Sequence, residues 1–135
     1  MLGGYYLGAW RALSRPNVPS ALFDASTSSF SGASAGALVS TAIASGCSHD
    51  STTSAFERIA ERVRAAGLLR CDLLALVRAE AEALLPEDAH ERSCGRLSVL
   101  ATDCKGAPPF LHPALLESFD SRATLIDAVL VRSSC

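Results

Sequence analysis

Phe30-Ser31-Gly32-Ala33-Ser34-Ala35-Gly36-Ala37-Leu38 carries more information than any other stretch of this chain. Gly32 to Gly36 spell G-x-S-x-G, the pattern of a serine held on a tight strand-to-helix turn. Such a turn needs small neighbours, because strand and helix approach closely and the backbone bends sharply. Here both intervening residues are alanine, so nothing bulky crowds the Ser34 hydroxyl.

The flanks match that context. Ser26 to Phe30 reads as a short buried strand entering the turn. Ala37 to Ser45 reads as a helix with Leu38, Val39, Ala42 and Ile43 on one side, stopped by Gly46. Strand, turn and helix together make Ser34 a candidate nucleophile.

Bulk composition narrows the classes. Of 135 residues, 49% are hydrophobic and 19% charged, which fits a folded chain rather than a disordered one. A net charge of −2 gives no electrostatic footprint for nucleic acid. Cys47, Cys71, Cys94, Cys104 and Cys135 are scattered without a C-x-x-C pair, so they read as free thiols, and no metal or cofactor is expected. The apolar start, Met1 to Leu13, has no basic residue before Arg11 and falls short of membrane-spanning length. Tyr5, Tyr6, Ala9, Trp10 and Leu13 instead recur at helical spacing and predict a buried amphipathic helix.

Further along, Arg15 to Pro19 ends the first helix, and Asp50, Ser51 and Ser54 offer caps for a helix running to Ala66 before Gly67. That helix turns Phe56, Ile59, Ala60 and Val63 inward and Glu57, Arg58, Glu61, Arg62 and Arg64 outward. Asp72 to Leu85 predicts another, with Leu73, Leu74, Val77, Ala81 and Leu84 toward the core and Glu80 and Glu82 on a solvated face. A short helical turn covers Glu87 to Arg92, and Arg96 to Asp103 alternates as a strand. Lys105-Gly106 reads as a turn, Pro108 to Leu111 as a returning edge strand, and Ser121 to Ser134 as a last helix burying Leu125, Ile126, Val129 and Leu130. Strands alternating with helices imply an α/β fold with a largely parallel central sheet. No repeat or linker divides residues 1–135.

Several of these segments, in this order, resemble the patatin-like phospholipases, and within them the animal type of the adipose triglyceride lipases and adiponutrins. Tyr5 to Leu13 is similar to the family's first helix and Phe30 to Leu38 to its nucleophile elbow. Leu85-Pro86, Gly95 to Val99 and Ser121 to Cys135 are similar to later landmarks. The resemblance implies a three-layer α/β/α sandwich with a mostly parallel sheet. It implies hydrolysis of glycerolipid acyl esters, triacylglycerol or phospholipid, by a Ser–Asp dyad without a catalytic histidine. It implies a cytoplasmic protein held peripherally at a membrane or lipid-droplet surface. Ser34 takes the nucleophile's place, within the motif Gly32, Ala33, Ser34, Ala35 and Gly36.

The family also carries a G-x-G-x-x-G loop whose backbone amides form the oxyanion hole. Gly3 matches its last glycine and Gly4 follows; the two earlier glycines have no counterpart. The family's aspartate sits in D-G-G or D-G-A, yet none of Asp24, Asp50, Asp72, Asp88, Asp103, Asp120 and Asp127 precedes a glycine. The resemblance therefore implies a partial domain, lacking most of the oxyanion loop and the dyad base, that is close to inactive alone.

Two other readings stand beside it. A Ser-His-Asp hydrolase would use Ser34, Asp103 and His112, although Pro108-Pro109 and His112-Pro113 suit a turn better than a catalytic loop. A non-catalytic remnant would bind a lipid surface or partner protein through Tyr5, Tyr6, Trp10, Leu68 and Leu69.

Overall fold

α2 (Ala35–Ala44) is the helix around which the others are arranged, and its sequence explains why. Ala37 and Ala44 face one side and Val39 and Ile43 another, all buried, so this helix can lie between two packed surfaces. The computed structural model describes residues 3–67, 72–103 and 112–130. Across them run α1 (Gly3–Leu13), β1 (Phe30–Gly32), α2, α3 (His49–Ala66), α4 (Leu73–Leu84), α5 (Ala89–Ser93), β2 (Leu97–Asp103), β3 (His112–Leu116) and α6 (Arg122–Leu130).

The fold is mixed α/β. Its sheet has the order β1-β2-β3, with β1 parallel to β2 and β3 antiparallel to β2. The expected largely parallel sheet is therefore corrected to a mixed one among the described residues. Proximity explains the antiparallel pair: a connection of only eight residues, 104–111, returns the chain beside β2, whereas a parallel crossover needs a dozen or more. A returning strand is present at His112–Leu116; the expected Pro108 to Leu111 strand and Lys105-Gly106 turn lie outside the described residues.

One apolar cluster joins Ala37 and Ala44 of α2 to Leu97 and Val99 of β2 and to Leu125, Ile126 and Val129 of α6. A second sets Leu7 and Trp10 of α1 against Val39 and Ile43 of α2. Each fully buried Leu or Val contributes about 1.5–3 kcal/mol relative to an exposed one, so these two clusters fix α2 against sheet and helices alike. The opposite face of the sheet, with Ser31, Ser98 and Leu115, carries no helix among the described residues.

Other boundaries shift for local reasons. Residues 25–27 form a turn and strand begins only at Phe30, because Asp24 accepts hydrogen bonds from the backbone N–H and hydroxyl of Ser26. α3 starts earlier than expected: the Ser48 hydroxyl accepts from the Ser51 N–H, so Ser48, not Asp50 or Ser51, is the cap. Gly67 closes it at φ 78°, and Asp72 caps α4 by accepting from the Ala75 N–H. The short α5 covers Ala89–Ser93. α6 buries Leu125, Ile126 and Val129 through Leu130; residues 131–134 of the expected helix lie outside the described ones.

Two faces are corrected. Tyr5, Tyr6 and Leu13 are exposed (Tyr5 at 74%), while Leu7 and Trp10 turn inward. On α4, Leu73 and Leu74 are exposed and Glu80 is buried at 7%. Arg58 of α3 explains the second case: its guanidinium donates to Glu80 Oε2 at 2.8 and 2.9 Å, supplying the partner that a buried carboxylate requires. The same hydrogen bond holds the Arg58 pKa above its ordinary value.

Candidate active site

Ser34 stands between β1 and α2 with φ 51° and ψ −128°, and it is the one non-glycine residue with positive φ among those described. This backbone region is sparsely populated by L-residues and costs about 1–3 kcal/mol. Sterics hold it there. A Cβ on Gly32 would meet the backbone of Gly36 and Ala37 at 2.6–2.8 Å, so strand and helix touch where only glycine fits. The Ser40 hydroxyl, one turn into α2, donates to the Ser31 carbonyl at 3.4 Å and ties the helix back to the strand.

Arg96 anchors the construction from behind. It donates to the carbonyls of Ala25 and Ser28 in the turn before β1, and to the Ala44 carbonyl at the end of α2 at 3.5 Å. Its guanidinium lies 5.9 Å from the Phe30 ring centroid. The Phe30 N–H donates to the Arg96 carbonyl at 2.6 Å. One residue thus fixes both the strand that enters the turn and the far end of the helix that leaves it.

The geometry leaves the Ser34 side chain free. A serine at a helix N-cap ordinarily accepts from the first-turn amides. Ser34 makes no such bond, and the residue is exposed. Within α2 the Gly36 and Ala37 N–H groups donate to the Ala33 carbonyl. Among the described residues, the Ala35 N–H has no acceptor. A free amide beside an exposed hydroxyl, at the positive end of a ten-residue helix, can stabilise negative charge.

Ser34 opens onto a cleft of about 1040 Å³. Gly3 and Gly4 line it too, but as the first turn of α1 rather than as loop; this corrects the expected loop conformation. Their N–H groups belong to the first turn, where helix amides lack intrahelical acceptors. Leu73, Leu74 and Val77 of α4 form the facing apolar wall, joined by Leu38, Phe56 and Leu130. Helical periodicity alone places the leucine stripe of α4 in the core and so does not reveal this wall. Its signal was Glu80: a carboxylate at i+4 from Leu76 rotates the helix once Arg58 is there to meet it.

No histidine, aspartate or glutamate hydrogen-bonds to Ser34 among the described residues. His49 lines the cleft, but its Nε2 meets the Leu7 carbonyl at 3.1 Å, its Nδ1 faces Thr53, and Trp10 packs edge-on at 5.1 Å. Asp103 and His112 are cross-strand partners at the end of the β2·β3 ladder. Four residues separate Asp103 from Val99, where β1 pairing ends, about 13 Å of strand at the usual rise. The register brings those two together and leaves both beyond β1.

Tyr5 is exposed and Tyr6 packs on Gly36, whereas Trp10 is buried; Leu68 and Leu69 lie outside the described residues. Cys47 is half-buried, which pushes its thiol pKa up, and Cys94 is exposed; Cys71, Cys104 and Cys135 lie outside the described residues. Among the described residues no cluster of His, Cys, Asp or Glu could hold a metal ion, and no helix is long and apolar enough to cross a membrane. No protein-family model, curated protein or solved structure matches the chain.

Proposed function

We propose that this chain is part of a patatin-like acyl-ester hydrolase, a three-layer α/β/α sandwich in its full form, with Ser34 as nucleophile. The observation that carries the reading is the positive φ of Ser34 at a strand-to-helix turn that opens on an apolar cleft. In this reading Ser34 Oγ attacks the ester carbonyl as the dyad base takes its proton, the oxygen that becomes negative faces the Ala35 N–H, and the tetrahedral adduct expels the alcohol with that proton, leaving an acyl-serine that water then hydrolyses. The first-turn amides of Gly3 and Gly4 are the second candidate donors. Glycerolipid as substrate, triacylglycerol or phospholipid, follows from the family resemblance, as does action at a membrane or lipid-droplet surface. The Ser–Asp dyad needs an aspartate followed by glycine, which these 135 residues do not contain.

The test compares lipolysis by the product of the whole reading frame with lipolysis by its Ser34→Ala variant. Loss of at least about 10³-fold is expected for removal of a nucleophile. Turnover that survives the substitution unchanged would refute the assignment.

A further inference from the structure

Ser34 stands at φ 51° although its side chain makes no capping bond and the residue is exposed, so its strain is imposed by the elements on either side. β1 and α2 form a V with Ser34 near its apex. The Gly32–Gly36 contact stops the two arms from coming closer, and the Ser40–Ser31 bond ties them beside the turn. We infer that Arg96 is the clamp across the open end of this V, a positioning residue that keeps Ser34 strained from the far end of α2. The clamp stands on the fold alone; its consequence for reactivity rests on the hydrolase reading of Ser34.

Three observations support it. The first is reach. Arg96 donates to the Ala25 and Ser28 carbonyls on the strand side, the latter at 3.3 Å, and to the Ala44 carbonyl on the helix side at 3.5 Å. Ala44 lies ten residues beyond Ser34, about 15 Å along the helix axis, so Arg96 acts on Ser34 without touching it. The second is chemistry. A guanidinium presents five N–H donors in a fixed fork and can hold carbonyls of two segments at once, which the compact ammonium of lysine does less well. The third is presentation. Asp24 accepts from the Ser26 N–H at 2.8 Å and its hydroxyl at 2.6 Å, shaping the turn whose Ala25 and Ser28 carbonyls converge on Arg96. Arg92 supplies a contrast: it reaches the Ser45 carbonyl at 3.5 Å, but its other side-chain bond goes to Asp88, so it touches the helix arm alone.

The test is a double-substitution cycle read by urea denaturation. With Arg96 in place, Ser34→Gly should raise the folded-to-unfolded ratio about fivefold, because relieved strain exceeds the freedom that glycine adds to the unfolded chain. With Arg96→Lys the V opens, Ser34 relaxes and that gain should disappear. With Arg92→Lys it should persist. An arginine that merely adds stability would lower it equally with and without Ser34→Gly. Fluorophosphonate labelling of Ser34 should also slow by roughly tenfold in Arg96→Lys and stay unchanged in Arg92→Lys. Should Arg96→Lys fail to fold, Asp24→Ala releases the strand side of the clamp while leaving Arg96 in place, and it should remove the same gain. An equal effect of Ser34→Gly with and without the clamp, or labelling at the parent rate in a folded clamp variant, would overturn the inference. A coupled cycle without Ser34-dependent labelling of the parent chain would keep the clamp and discard the hydrolase reading.

Discussion

Gly32 and Gly36 meet backbone to backbone: a Cβ on Gly32 would stand 2.6 Å from the Gly36 carbonyl carbon, with the Ala37 nitrogen at 2.7 Å. The relation is one-sided. The nearest atoms to a Cβ on Gly36 would be those of the Tyr6 side chain, at 3.4 Å or more. The two glycines of the motif are thus required for different reasons, and their alanine variants should diverge. Gly32→Ala forces strand and helix apart and should cost about 3 kcal/mol, the upper end of overpacking. Gly36→Ala removes a glycine from a helix and should leave stability unchanged or raise it by up to about 1 kcal/mol. Urea denaturation midpoints check both; equal losses at the two positions would contradict the geometry.

Strain at Ser34 gives a second expectation. Its φ of 51° is a conformation that glycine adopts without penalty. Ser34→Gly should therefore stabilise the fold by about 1 kcal/mol, after the extra freedom that glycine adds to the unfolded chain is subtracted from the relieved strain. Ser34→Ala keeps the strain and should not gain. Thermal melts of the two variants side by side decide the matter: a gain from both, or from neither, would mean that Ser34 is not held in tension.

The elbow was legible in the sequence because its determinants are local. Glycine sterics over five residues act within one turn of chain, and the Gly67 stop that closes α3 at φ 78° is legible for the same reason. The orientation of α4 was not legible, because it depends on Arg58 meeting Glu80 across 22 positions. Likewise, Tyr5 and Leu7 are both reasonable core residues by periodicity; packing against Val39 and Ile43 selects Leu7 and Trp10 and leaves Tyr5 outside. The candidate site divides along the same line. Ser34 and its neighbours could be named from the motif, whereas the apolar wall of Leu73, Leu74 and Val77 depends on how three helices meet.

Acid should loosen the turn that feeds β1. Asp24 accepts from the Ser26 hydroxyl at 2.6 Å and the Ser26 N–H at 2.8 Å. These bonds, with a smaller attraction from Arg96, hold the Asp24 pKa below its ordinary value. A carboxylate lowered on folding adds stability that is complete above its unfolded pKa and disappears as pH falls through the folded one. Asp24→Asn keeps an acceptor without the charge. Its stability deficit should be present at neutral pH and vanish below the carboxylate range; a deficit that persists in strong acid would mean that Asp24 acts through shape alone.

The 135-residue chain by itself should react with an activated probe far better than it turns over an ester. Ser34 is exposed at a helix N-terminus, with the Ala35 N–H unoccupied among the described residues, so the electrophile of a fluorophosphonate has access. Turnover asks for more. Proton transfer from Oγ needs a base in hydrogen-bond reach, and none of the described carboxylates or imidazoles bonds to Ser34. No aspartate here precedes a glycine, so the family's way of presenting a carboxylate on a short loop is not encoded in these residues. Loss of the base from a serine mechanism typically costs on the order of 10⁴-fold in rate. We therefore expect slow fluorophosphonate labelling that Ser34→Ala abolishes, together with hydrolysis of a short-chain aryl ester close to the uncatalysed rate. Brisk Ser34-dependent hydrolysis would contradict this and direct attention to Asp103 and His112, which the β2·β3 register already sets side by side. Asp103→Asn and His112→Gln would then be the variants that separate a triad from a dyad.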